Sequence, residues 1–343
     1  MISRERVLTA LKLGIPDRVP WIEGIVEDGI ASRLIGRKIS LNWSIAPNGL
    51  PVVNGEEQAE IQKEICRTLG KDNINYNAFA PIYAEKIIDK RRKVIVGRGL
   101  IKSWNDLKMM EFPNPKDKRF YGPAKDFISH KEDYCAVACI RLGIGSTVMS
   151  MGIDGFSLAL VDYPGLVEEV LTHYANWTKE IIPILEDIGF DIFWAFDDVA
   201  FDTGPMFSPK LYRELILPVL KEVANTISIP WISHSDGNMN PILEDWLTLG
   251  QNGIHPIQPD CMDIFELKKK YGNRICLVGN VDMNILINGN QEEVKAQVER
   301  LIKEVGYNGG YIISSSNSLT DGMKVENVRT MIDVIQSLGW YRR

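Results

Sequence analysis

The segment FDIFWAFDD, residues 190–198, indicates the fold class of this 343-residue chain. Its middle is a continuous apolar run, without the alternation of polar and apolar residues that a strand with one wet face shows. Such runs are typical of parallel strands that are buried on both faces. We therefore predict a central parallel sheet in which residues 190–198 form one strand.

Seven further segments of similar character are spaced along the chain. They are residues 19–23, 73–83, 135–142, 229–236, 253–258, 275–282 and 310–317. Between them lie amphipathic stretches, such as residues 164–188, in which apolar side chains recur at the three- and four-residue steps of a helix. Eight strands alternating with helices predict an α/β protein, a single (β/α)8 TIM barrel over residues 1–343. An open doubly wound sheet is disfavoured, because no glycine-rich phosphate motif follows the first strand.

Residues 84–133 do not fit one simple connection between strands. Two strand-like runs around Gly97 and Gly99 predict an inserted hairpin, and EFPNPKDKRFYGP at 111–123 predicts a proline-rich loop. We interpret both as additions to the barrel rather than as a separate domain.

Composition excludes several classes of protein. The chain has 39 Lys and Arg against 45 Asp and Glu, a net charge of −6, which disfavours a nucleic-acid partner. It has no apolar run near the roughly 18–20 residues that span a bilayer, so no membrane association is expected. Five scattered cysteines indicate reduced thiols and a cytoplasmic location.

The carboxyl ends of the strands are where a TIM barrel carries its active site. The polar residues predicted there are Glu23, Arg141, Asp197, Asp198, His234, Asp236, Gln258, Asn280, Asp282, Ser316 and Asn317. The aromatic and thioether residues expected around them include Trp21, Met149, Trp194, Phe196, Met206 and Phe207. A polar cluster surrounded by such side chains suits a small, partly apolar ligand.

His234 and Asp236 form the sharpest pattern, because residues two apart on a strand point the same way. They fit either two metal ligands or a catalytic histidine with an orienting carboxylate. Asp197 and Asp198 are adjacent, so we expect one to face the barrel mouth while the other binds backbone amides. Asn280 and Asn317 fit ligand contacts and turns equally well.

Several blocks of the chain resemble one known superfamily. They are residues 3–20 (SRERVLTALKLGIPDRVP), 196–223, 232–239 (ISHSDGNM), 253–272, 278–282 (VGNVD) and 309–319. Their order resembles the uroporphyrinogen decarboxylase superfamily in its methyltransferase branch, and the resemblance implies a (β/α)8 barrel.

Differences within that superfamily narrow the expected activity. The decarboxylases carry an arginine-rich block for substrate carboxylates, where this chain reads VPWIEGIVEDG at 19–29. The thiol-methylating members hold zinc on His-x-Cys and a distant Cys, where this chain has His234-Ser235-Asp236 and a position near Ser316 or Asn317. The blocks HSDGN and SSSNS look most like the corrinoid-dependent O-demethylase methyltransferases.

The resemblance implies transfer of a methyl group from a methoxylated aromatic to the Co(I) of a separate corrinoid (cobalamin-binding) protein. The expected catalytic residues are His234, Asp236, Asp197 and Asp198. The expected substrate contacts are Trp21, Glu23, Trp194, Phe196, Phe207, Asn280 and Asn317. Zn²⁺ on His234 and Asp236 would stabilise the leaving oxygen, or His234 held by Asp236 would protonate it. A decarboxylase or lyase, and a corrinoid-to-thiol methyltransferase, remain alternatives.

Overall fold

The computed structural model describes residues 1–41, 54–88 and 94–341 of the chain. In these residues the strands are β1 (Asn73–Asn77), β2 (Ala84–Ile88), β3 (Val94–Gly99), β4 (Cys135–Ile140), β5 (Ile192–Phe196), β6 (Ala200–Phe201), β7 (Gly204–Pro205), β8 (Trp231–His234), β9 (Gly253–His255), β10 (Cys276–Val278) and β11 (Tyr311–Ile312). Seven of them form one parallel sheet in the order β1-β4-β5-β8-β9-β10-β11. The α/β class predicted from the apolar runs is confirmed.

Helices connect these strands and cover the outside of the sheet. In the same residues they are α1 (Ser3–Leu11), α2 (Asp28–Ile35), α3 (Gly55–Leu69), α4 (Trp104–Leu107), α5 (Lys118–Ser129), α6 (Ile144–Met151), α7 (Ile153–Asp162), α8 (Pro164–Ile188), α9 (Pro209–Leu211), α10 (Leu217–Ala224), α11 (Leu243–Trp246), α12 (Ile264–Tyr271), α13 (Met283–Asn288), α14 (Gln291–Arg300) and α15 (Val325–Leu338). Short π-helical turns precede α10 and follow α14, at Tyr212–Ile216 and Leu301–Val305, and a 3₁₀ turn, Leu247–Leu249, follows α11.

The segment predicted as the first strand, residues 19–23, contacts both edges of the sheet. Trp21 forms a parallel bridge with Ile313, just beyond β11, and the Ile22 amide donates to the Ile313 carbonyl at 3.1 Å. On the other side the Asp72 amide, beside β1, donates to the Trp21 carbonyl at 2.8 Å. Because one short segment reaches both edges, the sheet is curled in the manner of a TIM barrel. Closure by a full eighth strand stays a prediction.

The stretch 84–133 contains both regular and irregular structure. β2 and β3 pair antiparallel, and residues 89–93 of the predicted hairpin lie outside the described residues. The prediction of a loop through residue 123 is wrong at its end, because α5 begins at Lys118. Asp117 caps this helix by accepting from the Arg119 amide, and its apolar residues recur at helical spacing and are buried. This amphipathic pattern outweighs the breaking tendency of Pro123.

The interior of the curled sheet is filled with apolar side chains. They are Val7, Ala10, Leu11, Ile22, Cys135, Val137, Cys139, Ile192, Trp194, Ile232, Cys276, Val278 and Ile312. Helix α1 supplies three of them, while the outward faces of the strands pack against the surrounding helices. A filled interior leaves room for a ligand only beyond the carboxyl ends of the strands.

Within the described residues, no single helix has the length and apolar character needed to cross a membrane. One bent pair, α6 with α7, meets those criteria only when its two helices are taken together.

A buried carboxylate, Asp72, joins the amino-terminal residues to the start of β1. Its Oδ1 accepts from Arg6 at 2.7 Å, from Arg18 at 2.8 Å and from the Ser3 hydroxyl at 2.8 Å. Its Oδ2 accepts from the Trp21 amide at 2.9 Å. Asp72 therefore holds α1 and the segment that contacts both sheet edges.

Replacing Asp72 with Asn should lower the free energy of unfolding by about 3 kcal/mol, because the buried Arg6 and the partly buried Arg18 lose their shared anion. Urea unfolding monitored by circular dichroism measures this loss. The matched control is Asp245→Asn, which breaks the more exposed pair with Arg213 and should cost no more than about 1 kcal/mol. Equal effects of the two substitutions would contradict the importance of the Asp72 contacts.

Candidate active site

The register of three neighbouring strands brings three rings into one row at the carboxyl edge of the sheet. Phe196 at the end of β5 pairs with His234 of β8, and His234 pairs with His255 of β9. Residues in register on parallel strands point to the same face. The ring centroids of Phe196 and His234 are 5.0 Å apart, and those of His234 and His255 are 4.9 Å apart. We call Phe196, His234 and His255 the strand-end row.

A cavity of about 360 Å³ opens beside the strand-end row. Its lining is mixed, with apolar and aromatic side chains from β4, β5 and α6 and polar groups at the carboxyl ends of the strands. The lining residues are Gly24, Ile25, Asn77, Phe79, Cys139, Arg141, Gly145, Val148, Met149, Phe196, Asp198, Met206, His234, Asp236, Asn317 and Ser318. This volume suits a small organic ligand, since pockets for drug-sized molecules span roughly 300–1,000 Å³.

Asp198, His234 and Asp236 form an acid–histidine cluster at this cavity. One potential ligand atom from each lies within 4.8 Å of the other two. His234 Nε2 is 3.3 Å from Asp198 Oδ1 and 3.7 Å from Asp236 Oδ1. Asp236 Oδ1 is buried and has no hydrogen-bond partner among the described residues, whereas Asp236 Oδ2 accepts from Asn317 at 2.5 Å. The cluster therefore presents one orphaned carboxylate oxygen beside the imidazole.

A chain of hydrogen bonds leads from His234 into the barrel interior. His234 Nδ1 lies 2.6 Å from His255 Nδ1, and His255 Nε2 lies 3.3 Å from the Ser314 hydroxyl. Ser314 donates in turn to Glu23 Oε2 at 3.3 Å. Burial and the nearby charge of His234 lower the pKa of His255 well below its ordinary value, so its ring is neutral and carries one proton. When His234 Nδ1 donates, the His255 proton lies on Nε2, and this arrangement directs His234 Nε2 toward the cavity.

The Glu23 carboxyl lies at the inner end of that chain and is buried. Besides Ser314, it accepts from the Trp21 indole at 2.8 Å and from the Ser315 amide and hydroxyl at 2.9 Å and 2.7 Å. Burial raises its pKa, and these donors oppose the rise. Glu23 thus orients the polar residues that follow β11.

Electrostatics favour a charged His234 in the metal-free protein. Burial opposes the imidazolium, but the hydrogen bond and charge of Asp198, with Asp236 and Asp197 behind it, raise the pKa of His234. Burial likewise opposes ionisation of Asp198, yet its contact with His234 lowers the pKa of that carboxyl. The pKa of Asp236 is raised by burial. The shifts at His234 and Asp198 both favour a protonated His234 beside an ionised Asp198.

Five of the predicted site residues line the cavity together. They are Phe196, Asp198, His234, Asp236 and Asn317. The i, i+2 spacing of His234 and Asp236 brings both side chains to one point, and Asn317 reaches the same carboxylate from the segment after β11.

Asp197, predicted as a catalytic candidate, does not line the cavity. It is buried and accepts from the backbone amides of Leu142 at 2.6 Å, Gly143 at 3.3 Å and Gly145 at 2.8 Å. The adjacent Asp198 faces the cavity because neighbouring strand residues point to opposite faces. Asp197 therefore holds the loop that begins α6, as the structural alternative for one member of this pair foresaw.

The other predicted substrate contacts also lie away from the cavity lining. Trp194 is buried one level below, stacked on Phe196 at 5.4 Å. Trp21 and Glu23 bond to each other in the interior, as described above. Phe207 stacks on Tyr212 outside the sheet at 5.6 Å, and the Asn280 amide donates to the Ile257 carbonyl at 2.5 Å. The sequence identifies these polar and aromatic types but not their depth in the barrel.

Phe79 and Cys139 line the cavity but were absent from the predicted site, whereas Arg141 was predicted among the polar residues at the strand ends. Phe79 lies two residues beyond β1, in a stretch interpreted wholly as strand. Cys139 and Arg141 lie at the end of β4, and Arg141 had been noted only as a polar strand-end residue. Their shared parity on β4 with Val137 is the signal that could have found them, since residues two apart share a face.

The acid–histidine cluster has the ligand types of a divalent metal site. Imidazole nitrogens and carboxylate oxygens both bind zinc, and catalytic zinc sites have three protein ligands with a fourth position open. The orphaned Asp236 Oδ1 supports this fit, because a buried oxygen without a donor suits a cation. Cys139 lines the same cavity, but burial raises the pKa of its thiol to about 12, so it is not a thiolate.

In the metal-free protein, replacing Asp198 with Asn should lower the pKa of His234, because its closest anion is lost. The folded-state pKa of His234 exceeds the unfolded value of about 6.5, so its charge stabilises the fold most below that pH. This contribution is lost as the pH rises through the folded pKa. NMR titration of the His234 ring in chelator measures the shift, with the wild-type protein as reference. An unchanged His234 titration would contradict the ion pair.

Sequence relatives include proteins of two activities. A uroporphyrinogen decarboxylase from Chlorobium phaeovibrioides is 23% identical over 253 residues, which cover 69% of this chain and 70% of the relative. One from Coxiella burnetii is 25% identical over 148 residues, 40% of each protein, so the chain spans about two fifths of that relative's length. A methylated-thiol–coenzyme M methyltransferase from Methanosarcina mazei is 26% identical over 131 residues, 38% of this chain and 34% of the relative.

A solved structure of a methyltransferase from Methanosarcina mazei has the same fold. It superimposes with a TM-score of 0.74 at 18% identity, covering 98% of both chains. The model of the uroporphyrinogen decarboxylase (URO-D) family matches residues 144–338, more than half of the chain, and includes β5, β8 and β9 with the acid–histidine cluster. This chain therefore belongs to the URO-D family, and the methyltransferase branch of that superfamily fits it.

Proposed function

We propose that this protein is a methyltransferase that moves a methyl group from a methoxylated aromatic compound to the Co(I) of a partner corrinoid protein. The observation that carries the proposal is the acid–histidine cluster at the edge of an aromatic-walled cavity. The family and the methyltransferase neighbours agree with methyl transfer, and the choice of an ether as methyl donor rests on the cavity.

The cavity walls suit an aromatic ring. Phe79 and Phe196 stand edge to face at 6.3 Å, and Val148, Met149 and Met206 complete an apolar surface around them. Thioethers and aromatic rings pack favourably on aromatic ligands. His234 and its two carboxylates stand next to Phe196, so an ether oxygen on the ring would meet them.

The reaction needs help at the leaving oxygen. The cobalt nucleophile attacks the methyl carbon, the carbon–oxygen bond breaks, and its electron pair stays on the phenolate oxygen. In the metal-free protein, a protonated His234 with Nε2 toward the cavity donates its proton to that oxygen as a general acid. Asp198 keeps the imidazole charged before the transfer, and His255 fixes which ring nitrogen faces the substrate.

The same residues would hold a divalent metal. Asp198, His234 and Asp236 would be the ligands, with Asn317 and His255 orienting two of them from behind. A bound Zn²⁺ supplies Lewis acidity at the ether oxygen.

The alternatives fit the cavity less well. The cluster contains no cysteine, and the protonated Cys139 does not provide the soft thiolate ligands of a thiol-activating zinc site. A tetrapyrrole decarboxylase needs several cations for its substrate carboxylates, whereas Arg141 is the one arginine or lysine among the described residues that line this cavity. The volume of about 360 Å³ also suits a single ring better than a macrocycle.

The proposal predicts growth of methyl-cobalt absorbance when the protein is mixed anaerobically with a reduced corrinoid protein and methoxybenzenes. His234→Asn should reduce the rate at least about 100-fold, because a general acid contributes 10²–10⁴-fold. The matched control is His130→Asn, on the exposed end of α5, which should keep the wild-type rate.

Two outcomes would contradict this function. One is a wild-type rate in His234→Asn. The other is no transfer from any methoxybenzene while the corrinoid is demonstrably reduced and the protein folded, in which case assay with a tetrapyrrole tests decarboxylation.

The proposed metal site predicts binding of about one Zn²⁺ per chain. Asp236→Asn should weaken the affinity more than about 10-fold, since even outer-shell changes at zinc sites cost 10–100-fold. Competition with a chromophoric chelator measures the affinity. Asp202→Asn is the control, because Asp202 is a nearby acid outside the cluster that bonds Gln258 instead. Equal zinc affinity of the two variants would argue against the assigned ligands.

A further inference from the structure

Arg141 is a cation in the cavity wall with no anion or hydrogen-bond acceptor beside it in the described part of the chain. It follows β4 and is partly buried, and its guanidinium makes no hydrogen bond or ion pair within residues 1–41, 54–88 and 94–341. Burial lowers its pKa, although Asp197 and Asp198 oppose the change. An arginine remains charged at neutral pH, and a buried charge without a partner is unfavourable. Its retention in a ligand cavity therefore calls for an anion from outside the chain.

The nearby carboxylates are already engaged by other groups. Asp197 accepts from three backbone amides in the loop after β4. Asp198 is paired with His234 and accepts from the Asp236 amide at 3.0 Å. Neither acid lies within ion-pair distance of Arg141, so the charge of Arg141 is left available to a ligand.

The guanidinium is held in place by an aromatic face. Its central carbon lies 4.0 Å from the centroid of Phe79, a cation–π contact that fixes the plane of the group. Phe79 in turn stands edge to face with Phe196, which contacts His234. Two aromatic rings thus separate the cation from the acid–histidine cluster along the cavity wall.

The sheet register places Arg141 on the level of the strand-end row. Ile140 pairs with Ala195, so Arg141 is level with Phe196, which pairs with His234. Arg141 and His234 are two strands apart, a backbone separation of about 10 Å. Both side chains line the same cavity, with Phe79 and Phe196, so a benzene ring with a substituent at each end can contact both groups.

We propose that Arg141 binds the carboxylate of an aromatic acid, so that the substrate of this site is a methoxybenzoate. The inference rests on the proposed function and adds the class of its substrate. The guanidinium would meet the carboxylate through two parallel hydrogen bonds, the ring would lie in the cavity against Phe79 and Phe196, and the ether oxygen would reach His234 at the opposite end.

Ligand binding without any corrinoid tests the anion site. Isothermal titration calorimetry should show methoxybenzoate binding at least about 10-fold more tightly than methoxybenzamide, which has nearly the same shape and no charge. A 10-fold ratio corresponds to about 1.4 kcal/mol of binding free energy. Equal affinities for the acid and the amide in the wild-type protein would overturn the proposal.

Substitution of Arg141 tests whether this residue causes the preference for the acid over the amide. Arg141→Gln should remove the preference for the acid while leaving the affinity for the amide within about 3-fold. The control Arg213→Gln alters an exposed arginine outside the cavity and should keep the wild-type ratio. If Arg141→Gln does not fold, Arg141→Lys retains the charge without the bidentate geometry and should reduce the ratio. An undiminished ratio in a folded variant would contradict the role of Arg141.

Titration with inorganic phosphate tests whether the site binds any anion rather than an aromatic acid. If phosphate binds the wild-type protein as tightly as methoxybenzoate and no longer binds Arg141→Gln, the site is a general anion site and the aromatic class is overturned. The two proposals also fail separately. Selective binding of the acid without methyl transfer would contradict the proposed function alone, whereas transfer from neutral and acidic ethers at equal efficiency would contradict the anion site alone.

Discussion

The parallel register of β5, β8 and β9 is the constraint on which the candidate site depends. Parallel pairing aligns residues of equal depth and directs their side chains to one face. Because Phe196, His234 and His255 share one level, the imidazole of His234 has a ring on one side and a hydrogen-bonding nitrogen on the other. A shift of one residue in β8 would turn His234 away from the cavity. The backbone ladder thus determines the chemistry that this edge supports.

The ionisable groups of the site lie at two depths in the barrel, at the strand-end row and beneath it. A neutral His255 separates the charged His234 from the buried Glu23, so two ionisable groups share one hydrogen-bonded chain without direct contact. Glu23 lies on the segment that contacts both sheet edges, and Ser314 lies beyond β11. The residues that orient the imidazole are therefore the same ones that bring the two edges of the sheet together. Stability of the curled sheet and orientation of the site are coupled through these contacts.

Apolar runs predicted the positions of seven parallel strands, and the starts were accurate to within two residues. The predicted ends extended too far, as at 73–83 where β1 ends at Asn77, because loops at the carboxyl edge are also rich in buried residues. At the site, spacing was sufficient for His234 and Asp236, which lie on one strand and its extension. Spacing could not tell which of the adjacent residues Asp197 and Asp198 faces the cavity. That choice depends on how β5 pairs with its neighbouring strands. The sequence also does not predict how deep in the barrel a side chain lies, which is what distinguishes the interior Trp194 from the cavity-lining Phe196.

The separation between a dry interior and a polar upper level has an evolutionary consequence. Cys139, Trp194 and Ile232 form a packed floor, and the residues two positions later on each strand carry the polar groups or ring of the site. Substitutions in that upper level exchange ligand types and charges without opening a hole in the floor beneath. The chemistry of the upper level can therefore change by single substitutions, while the stability of the fold depends on a different set of positions.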